Sequence, residues 1–536
     1  MKAVKLGILA TLLCLSVIVL SLCASALVMT GKCGDNITYT LDTETGILDL
    51  TGHGKMYDYT RIEEGTVRNT RFYPSTPWGK DYLSAVRTVH VGEEITHIGN
   101  LAFSNTAATT VTLPSSLQVI GNSAFSSTKI EDIELPENLT EIADGAFESC
   151  KNLTEIRIPD SVTKIGNSCF SYCTNLAEIK MSASIEEITS WAFMQTAWYD
   201  NQPDGIIYLG DIVYSAKGDM VGDFAVKEGT RIIANSAFYN CSTMTSIELP
   251  DSLLKIGGSA FSGCSALNAI AIPDSVTYIG IAALTGCTNL KEVTVPFVGA
   301  SHSPESNREA VFGYLFGYQT ITKAPSYSTI PAGYTYQVHQ DGLYYCFKIP
   351  QSIKTVTVTK DEDIGDAFTN CRYLTSFKIL NPVCSIGSNP TAIDQSTTIY
   401  GFAGSTAEAY ATKYNRTFVA LDPTSLTAKV SAATYASGTA TLRVTATPTV
   451  TEGMKVERYG VFFAPAKYAD SYATNGQVAV KEGAIASGKP FFADLTDIPE
   501  SAYDVKIYAW AFVKLVGVSD PVVCPLAPVS IHDIVK

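Results

Sequence analysis

An isoleucine, usually followed by glycine, returns along this chain at nearly constant spacing. It stands at Ile98, Ile120, Ile142, Ile165, Ile188, Ile233, Ile256 and Ile279, with intervals of 22, 22, 23, 23, 45, 23 and 23 residues. A second column follows four or five residues on: Ala102-Phe103, Ala124-Phe125, Ala146-Phe147, Cys169-Phe170, Ala192-Phe193, Ala237-Phe238 and Ala260-Phe261, with Ala283-Leu284 continuing it. The stretch IPDSVTKIG from Ile158 to Gly166 returns as IPDSVTYIG from Ile272 to Gly280, five periods later. Self-similarity at a fixed short period is the signature of a coiling chain.

The unit that runs from Cys150 to Phe170 shows why it must coil. Its apolar positions are Cys150, Leu153, Ile156, Ile158, Val162, Ile165 and Phe170. Around Ile156 and Ile158 the pattern alternates as a strand does, with Glu155 and Arg157 pointing the other way. Pro159 withholds a ladder donor and ends the strand. Gly166 is expected to permit a bend, and the NSCFSYC segment to make a short helical turn that drops Phe170 inward. Ordering each residue costs about 1–2 kcal/mol of backbone entropy, which a lone coil of this size cannot recover from one small apolar face. Coils must therefore stack and share faces. The expected fold is a β-rich solenoid of parallel strands with short helical turns.

The phased pattern Leu153-x-x-Ile156-x-Ile158-Pro159-x-x-Val162-x-x-Ile165-Gly166-x-x-x-Phe170 resembles the BspA-like leucine-rich repeat. The flanks resemble that family too. GKCGDNITYTLDTETGILDLTGHGKMYDY, ahead of Pro77-Trp78, looks like its N-terminal cap, and TTIYGFAGSTAEAYATKYNRTFVALD looks like a closing segment. The resemblance covers residues 31–422. It implies a bacterial cell-surface or secreted protein that binds other molecules, often in adhesion, and it transfers no catalytic residue.

The array departs from its own rule in two places. The interval of 45 residues leaves room for about one extra coil, and its GIIYLGDIVYSAKGD reads as a β-hairpin turning at Gly210-Asp211. Residues 297–346 form a larger break rich in Tyr, Ser and Gly, after which degraded coils resume. From residue 423 onward, strand-like runs separated by Gly, Pro and Asp point to an all-β sandwich that resembles immunoglobulin-like or fibronectin type III modules. The expected organisation is a signal peptide over 1–26 and a β cap over 27–85. The solenoid covers 86–296 with a hairpin near 198–219, then an insertion over 297–346. Degraded repeats and a closing cap over 347–422 lead to the sandwich over 423–536.

The first 26 residues carry Lys2 and Lys5, an apolar run from Leu6 to Leu22, and Ala24-Ser25-Ala26 as a cleavage signal. Cleavage after Ala26 removes two lysines and takes the formal net charge from −14 to −16. The expected location is secreted or at the cell surface, with no membrane span in the mature chain. Such a balance, with no basic run after the leader, argues against a nucleic-acid partner.

Thirteen cysteines less the two in the leader leave eleven. Five share one repeat column, Cys150, Cys173, Cys241, Cys264 and Cys287, where other coils place Thr106, Thr128 and Thr196. The column asks for a small, half-buried residue; packed free thiols are expected there, since equivalent side chains in neighbouring coils run parallel and suit a disulfide poorly. No CxxC pair and no HExxH is present, so no metal or other cofactor is expected. The histidines are His53, His90, His97, His302, His339 and His532; His90 should face solvent. Without a Walker loop, GxSxG or GxGxxG, an enzyme is not expected.

The best binding candidate is the outward face of the strands. Its charged positions are Asp132 and Glu134, Glu155 and Arg157, Glu178 and Lys180, then Glu248 and Glu292. Four acids against two bases on three successive coils make a weakly acidic strip; the bland alternative is a solvated surface. Asp160, Asp251 and Asp274, which follow Pro at matching phase, read as turn formers. The expected work is non-covalent, adhesion-type recognition of a host or neighbouring-cell protein or glycan. Two rivals are a stalk that presents the C-terminal domain, and an enzyme or enzyme accessory with an unrecognised site.

Overall fold

The computed structural model describes residues 27–66, 69–304, 309–321, 335–338, 344–421, 425–436, 439–450, 456–465, 477–482, 485, 489–504, 507–515, 522–526 and 530–531. The signal peptide expected over 1–26, His339 and His532 lie outside them. The chain divides into two compact units, one of residues 1–220, 230–239 and 257–260, the other of 221–229, 240–256 and 261–536. The fold is a β-solenoid of short stacked strands with few helices. No described helix is long and apolar enough to cross a membrane.

In the first unit three antiparallel strands, Val28–Gly34, Ile37–Asp42 and Ile47–Lys55, form the start of the array. The third also runs parallel to the first coil and seeds both of its ladders. Its beginning pairs with Thr88–Val91, in the register Leu48↔Val89, and its end with Glu94–Ile98, in the register His53↔Glu94. From there Thr88–Val91 hands on to Thr110–Thr112, and Glu155–Arg157 pairs with Glu178–Lys180. The second ladder joins Ile98, Ile120, Ile142 and Ile165 in register, all of them buried. A full coil thus carries two short parallel strands, the second being the Ile column itself.

Gly166 is a correction to the sequence reading. Its φ is not left-handed. A Cβ there would stand 2.4 Å from the backbone nitrogen of Asp144 in the preceding coil. The glycine allows a close approach between coils and does not make a bend.

The expected helical turn exists as i→i−3 hydrogen bonds, such as Ser104 N–H to Leu101 O and Thr106 N–H to Phe103 O. Every second N–H is diverted to the next coil: Leu101 donates to Asn122 O, Phe103 to Ala124 O and Asn105 to Ser126 O. That alternation requires left-handed residues on either side of the phenylalanine. Leu101, Asn105, Ser123, Ser127, Ser149, Ser168 and Tyr172 all have φ between 52° and 62°.

Inside this turn stack lies a column of rings. Successive rings of Trp78, Phe103, Phe125, Phe147, Phe170 and Phe193 stack with centroids 5.2–5.8 Å apart and planes within 22° of each other. Trp78 opens it: fully buried, it lies on Phe103 and donates its indole N–H to Ala102 O at 2.9 Å, the carbonyl that a preceding coil would have satisfied.

The first break is the expected hairpin, Gly205–Leu209 and Ile212–Lys217, with Gly210 at φ +66°. It is packed into the array rather than projecting from it. Ile212 and Val213 pair in parallel with Ile232 and Ile233. Tyr214 takes the place of the next phenylalanine, its ring 5.8 Å from that of Phe193 and its hydroxyl accepting the Phe193 N–H at 2.7 Å.

In the second unit, Gly222–Ala225 pairs with Met244–Glu248 and Lys255–Ile256 with Tyr278–Ile279. A longer parallel ladder joins Ala269–Ala271, Glu292–Val295, Thr355–Val358, Ser376–Ile379, Thr398–Gly401 and Phe418–Ala420. The second break therefore leaves the strand ladder intact. It even supplies a turn: Ala282 and Leu284 donate to Tyr314 O and Leu315 O, within the 3-10 turn Phe312–Phe316. The helix Thr406–Lys413, capped by Ser405, sits between the last two strands of the ladder.

Beyond the solenoid, Ser425–Ala436, Thr439–Thr449 and Phe491–Pro499 form one antiparallel sheet. Gln477–Glu482, Val456–Pro465, Ile507–Leu515 and Val522–Pro525 form another. Leu442, Val444, Val461, Phe463, Ala511 and Val513 from both sheets share one apolar cluster.

A ring removed from mid-column leaves a cavity that its rigid neighbours cannot close. Phe147→Ala should lower the unfolding free energy by about 3–5 kcal/mol, read from urea unfolding; a loss under about 1 kcal/mol would show that the ring column is not stabilising.

Candidate functional site

The outward strand positions are exposed as the alternation requires. In the first unit these include Asp132, Glu134, Glu155, Arg157, Glu178 and Lys180, and in the second Glu248 and Glu292. Parallel register sets like charges side by side, Glu155 opposite Glu178 and Arg157 opposite Lys180. Such pairing is unfavourable, and the long side chains relieve it. Lys180 lies 3.1 Å from Glu178 and 3.8 Å from Glu155, and Arg157 lies 2.6 Å from Glu137. The Glu178 hydrogen bond raises the Lys180 ammonium above its ordinary value, and Glu137 does the same for Arg157. Both bases of the strip are thus engaged by neighbouring acids, and exposed pairs of this kind add little stability.

The structure brings Glu155, Arg157, Glu178 and Lys180 together on two adjacent strands. Asp132 and Glu134 flank the buried Ile133 on a coil that lacks a regular strand at this place. In the second unit the exposed Ala269 and Ala271 stand between the coils of Glu248 and Glu292, so no continuous acidic run forms there. Asp223 is taken up by Ser246 and Thr245, whose hydroxyls donate at 2.6 and 2.7 Å and hold its carboxyl below the usual range.

The cysteine column is buried rather than half-buried, and it is a donor column. Thr106, Thr128 and Thr196 send their hydroxyls to the carbonyls of Phe103, Phe125 and Phe193 in their own coils. Cys150, Cys173 and Cys287 send their thiols to the carbonyls of Phe125, Phe147 and Phe261 in the coil before. Smallness alone does not explain the column; the phenylalanine carbonyl needs a second donor. All eleven cysteines among the described residues are free thiols. Burial pushes Cys33, Cys287, Cys371 and Cys384 up to about 12, and Cys241 to about 11. Burial likewise raises the Cys169 thiol. A buried neutral thiol is a poor nucleophile.

His90 faces solvent as expected, with Nδ1 2.7 Å from Asp49 Oδ1. His97 is bonded to Thr96 and lowered by burial. His302 lies 3.8 Å from Asp361, whose carboxyl burial raises. Asp274 ties coils together, accepting the Thr359 hydroxyl at its carboxylate and the Lys360 ammonium at its carbonyl. Among the described residues, no three His, Cys, Asp or Glu side chains gather as a metal site would need.

Reading the strand face alone misses three exposed aromatics on the turns of the first unit: Tyr172, Trp191 and Tyr239. Trp191 and Tyr239 meet edge to face at 6.3 Å. The signal lay in the repeat columns. Trp191 stands where other coils place Leu101, Ser123, Gly145, Ser168 and Ser236, and Tyr239 where they place Ser104, Ser126, Glu148, Ser171 and Met194.

With this geometry in view, comparison with known proteins is direct. Residues 82–199 and 214–330 match the BspA type leucine rich repeat region in six copies. Among solved structures, a leucine-rich repeat protein from Eubacterium ventriosum is 21% identical, over 68% of this chain and 92% of its own, with a TM-score of 0.31. The pneumococcal vaccine antigen PcpA is 16% identical over 74% and 98%, with a TM-score of 0.31. A leucine rich cell surface protein from Faecalibacterium prausnitzii is 21% identical over 70% and 77%, with a TM-score of 0.18. No curated protein matches the chain.

The donor column generates two expected outcomes. Cys287→Val, which keeps the volume and removes the donor, should cost about 1 kcal/mol more than Cys287→Thr in urea unfolding; equal costs would leave smallness as the sole requirement. Thiols raised by burial stabilise the fold below their ordinary value near 9 and lose that contribution as pH climbs to about 12. Alkaline unfolding followed by circular dichroism should therefore fall within that interval.

Proposed function

We propose that this chain, which carries a BspA-type leucine-rich repeat region over residues 82–199 and 214–330, acts by non-covalent, adhesion-type recognition of a protein at or near the bacterial cell surface. The observation that carries the reading is the strand face of the first unit. Parallel strands hold Glu155, Arg157, Glu178 and Lys180 outward in register, with Asp132 and Glu134 exposed on the preceding coil. Acids outnumber bases, and both bases are already paired with acids of the same array. What is left over is negative charge on an open surface, which suits a basic patch on a macromolecule.

Export of the chain, with cleavage after Ala26, belongs to the same reading. So does an immunoglobulin-like or fibronectin type III-like module over residues 423–536. Its support is the strand order: the first, second and fifth strands form one sheet, the fourth, third, sixth and seventh the other. Packing of a three-stranded and a four-stranded antiparallel sheet over a shared apolar cluster is the architecture of such sandwiches.

The test is binding of residues 27–536 to a panel of purified extracellular matrix proteins, at two salt concentrations. A partner should be found among those with basic surfaces, weakened by raised salt and weakened at least tenfold by combined Glu155→Lys and Glu178→Lys. Binding that ignores both salt and charge reversal defeats the strand-face reading and favours an array that serves as a stalk for the C-terminal module.

A further inference from the structure

We propose that the turn ridge of the first unit, opposite in chemistry to its acidic strand face, binds an extended, uncharged polysaccharide chain. The track runs from a cleft beneath Phe72 to the exposed ring pair of Trp191 and Tyr239.

The cleft has a volume of about 320 Å³ and lies between the hairpin of Arg61–Thr66 and Asn69–Pro74 and the turns of the first three coils. Small-molecule sites begin at about this size. Phe72, 48% exposed, and Tyr73 form the aromatic wall. The opposite wall is a ladder of small polar side chains, one set per coil: Asn105, Ser127 and Ser149 stand two residues after their phenylalanines. Pro74, Leu101, Ser104 and Ser126 add to the lining, and its charged residues, Arg61 and Glu148, cancel. Hydroxyls and an amide facing aromatic rings, without net charge, suit a sugar. Its hydroxyls exchange hydrogen bonds with the ladder, and its C–H faces lie on the negative faces of the rings.

The same ridge changes character in the coils that follow. Tyr172 occupies the column of Asn105, Ser127 and Ser149, yet it is 43% exposed and left-handed at φ +61°. The turn ladder sets that conformation, as it does at Asn105, Ser127 and Ser149, and the conformation favours small polar residues, so the turn itself does not call for the ring of Tyr172. Trp191, 38% exposed, and Tyr239, 48% exposed, likewise stand in columns where serine is the commonest residue. Three large rings thus face water in columns where most other coils hold small residues, with Leu101, Glu148, Met194 and Gln195 as the larger exceptions. The packed column needs none of them, since Phe170 and Phe193 already fill the interior.

Two rival ligand classes fit less well. A peptide that docks through its main chain needs unpaired N–H and C=O groups, but alternate N–H groups of these turns are spent on the next coil. An anionic ligand would meet Glu148, and a cationic one Arg61. A chain of neutral sugars meets small polar side chains from successive coils, whose buried phenylalanines stack 5.2–5.3 Å apart, with the rings of Phe72 and Tyr73 opposite them.

The test uses residues 27–536 and a panel of soluble probes: a β-glucan, a xylan, an arabinogalactan, a mucin glycan and a basic protein. At least one neutral polysaccharide should bind by calorimetry and shift the tryptophan emission, because Trp191 is exposed whereas Trp78 is buried. Trp191→Ala, Tyr172→Asn and Phe72→Ala should each weaken that binding at least tenfold. Tyr172→Asn places a residue tolerant of left-handed φ there, so its melting temperature should not fall. The strand-face reversal Glu155→Lys with Glu178→Lys should leave sugar binding unchanged, which separates this proposal from the protein-binding reading. Absence of binding to every polysaccharide, binding that survives Trp191→Ala and Phe72→Ala, or capture of the basic protein alone by this ridge overturns it.

Discussion

The structure depends on one rule: each coil must answer the polar groups that the previous coil leaves open. In the turns this rule is at its strictest, because the phenylalanine N–H and those two residues to either side point along the array rather than back into their own turn. A buried N–H without an acceptor costs more than a hydrogen bond gains. The ring column and the turn ladder are therefore one device. The rings set the spacing, and the ladder forbids any coil from ending without a substitute.

Three substitutes show how literally the chain obeys. Trp78 supplies both a ring for Phe103 and a donor for Ala102 O. Tyr214 supplies a ring for Phe193 and an acceptor for its N–H. The turn Phe312–Phe316 supplies carbonyls for Ala282 and Leu284. An aromatic side chain with a polar tip can do with one residue what a coil does with many, which is why Trp78 and Tyr214 stand where the regular array starts and breaks. A second relay runs beside the Ile column. Asn122 N–H donates to Asn100 Oδ1, Asp144 N–H to Asn122 Oδ1 and Asn167 N–H to Asp144 Oδ1.

Most of this architecture was legible in the sequence, because period and phase are properties of letters. The Ile and Phe columns, the hairpin at Gly210-Asp211 and the exposure of His90 were all readable from spacing and alternation. What could not be read was anything decided by the neighbouring coil. Gly166 looks like a bend in one unit and is a clearance in two. Cys287 looks merely small until its thiol is seen at Phe261 O in the coil before. The strand face was legible as a set of exposed positions, but its ion pairs cross between coils. The ridge aromatics were legible only as exceptions within columns, a signal that appears once the columns themselves are aligned.

The same rule decides where recognition can occur. Stacking consumes the backbone on the turns and along both strand ladders, so a partner has little main chain to hold inside the array. Only side chains that stacking leaves free to vary are available, and they lie in two places with different chemistry. On the strand face, parallel register forces like residues together, so charge accumulates and must be balanced by neighbours such as Lys180 between Glu155 and Glu178. On the turn ridge, left-handed backbone favours small polar residues, so charge stays sparse and any large ring stands out against water. A solenoid of this kind presents one surface tuned by electrostatics and another tuned by aromatic contact, and substitutions on either leave the ring column beneath them untouched.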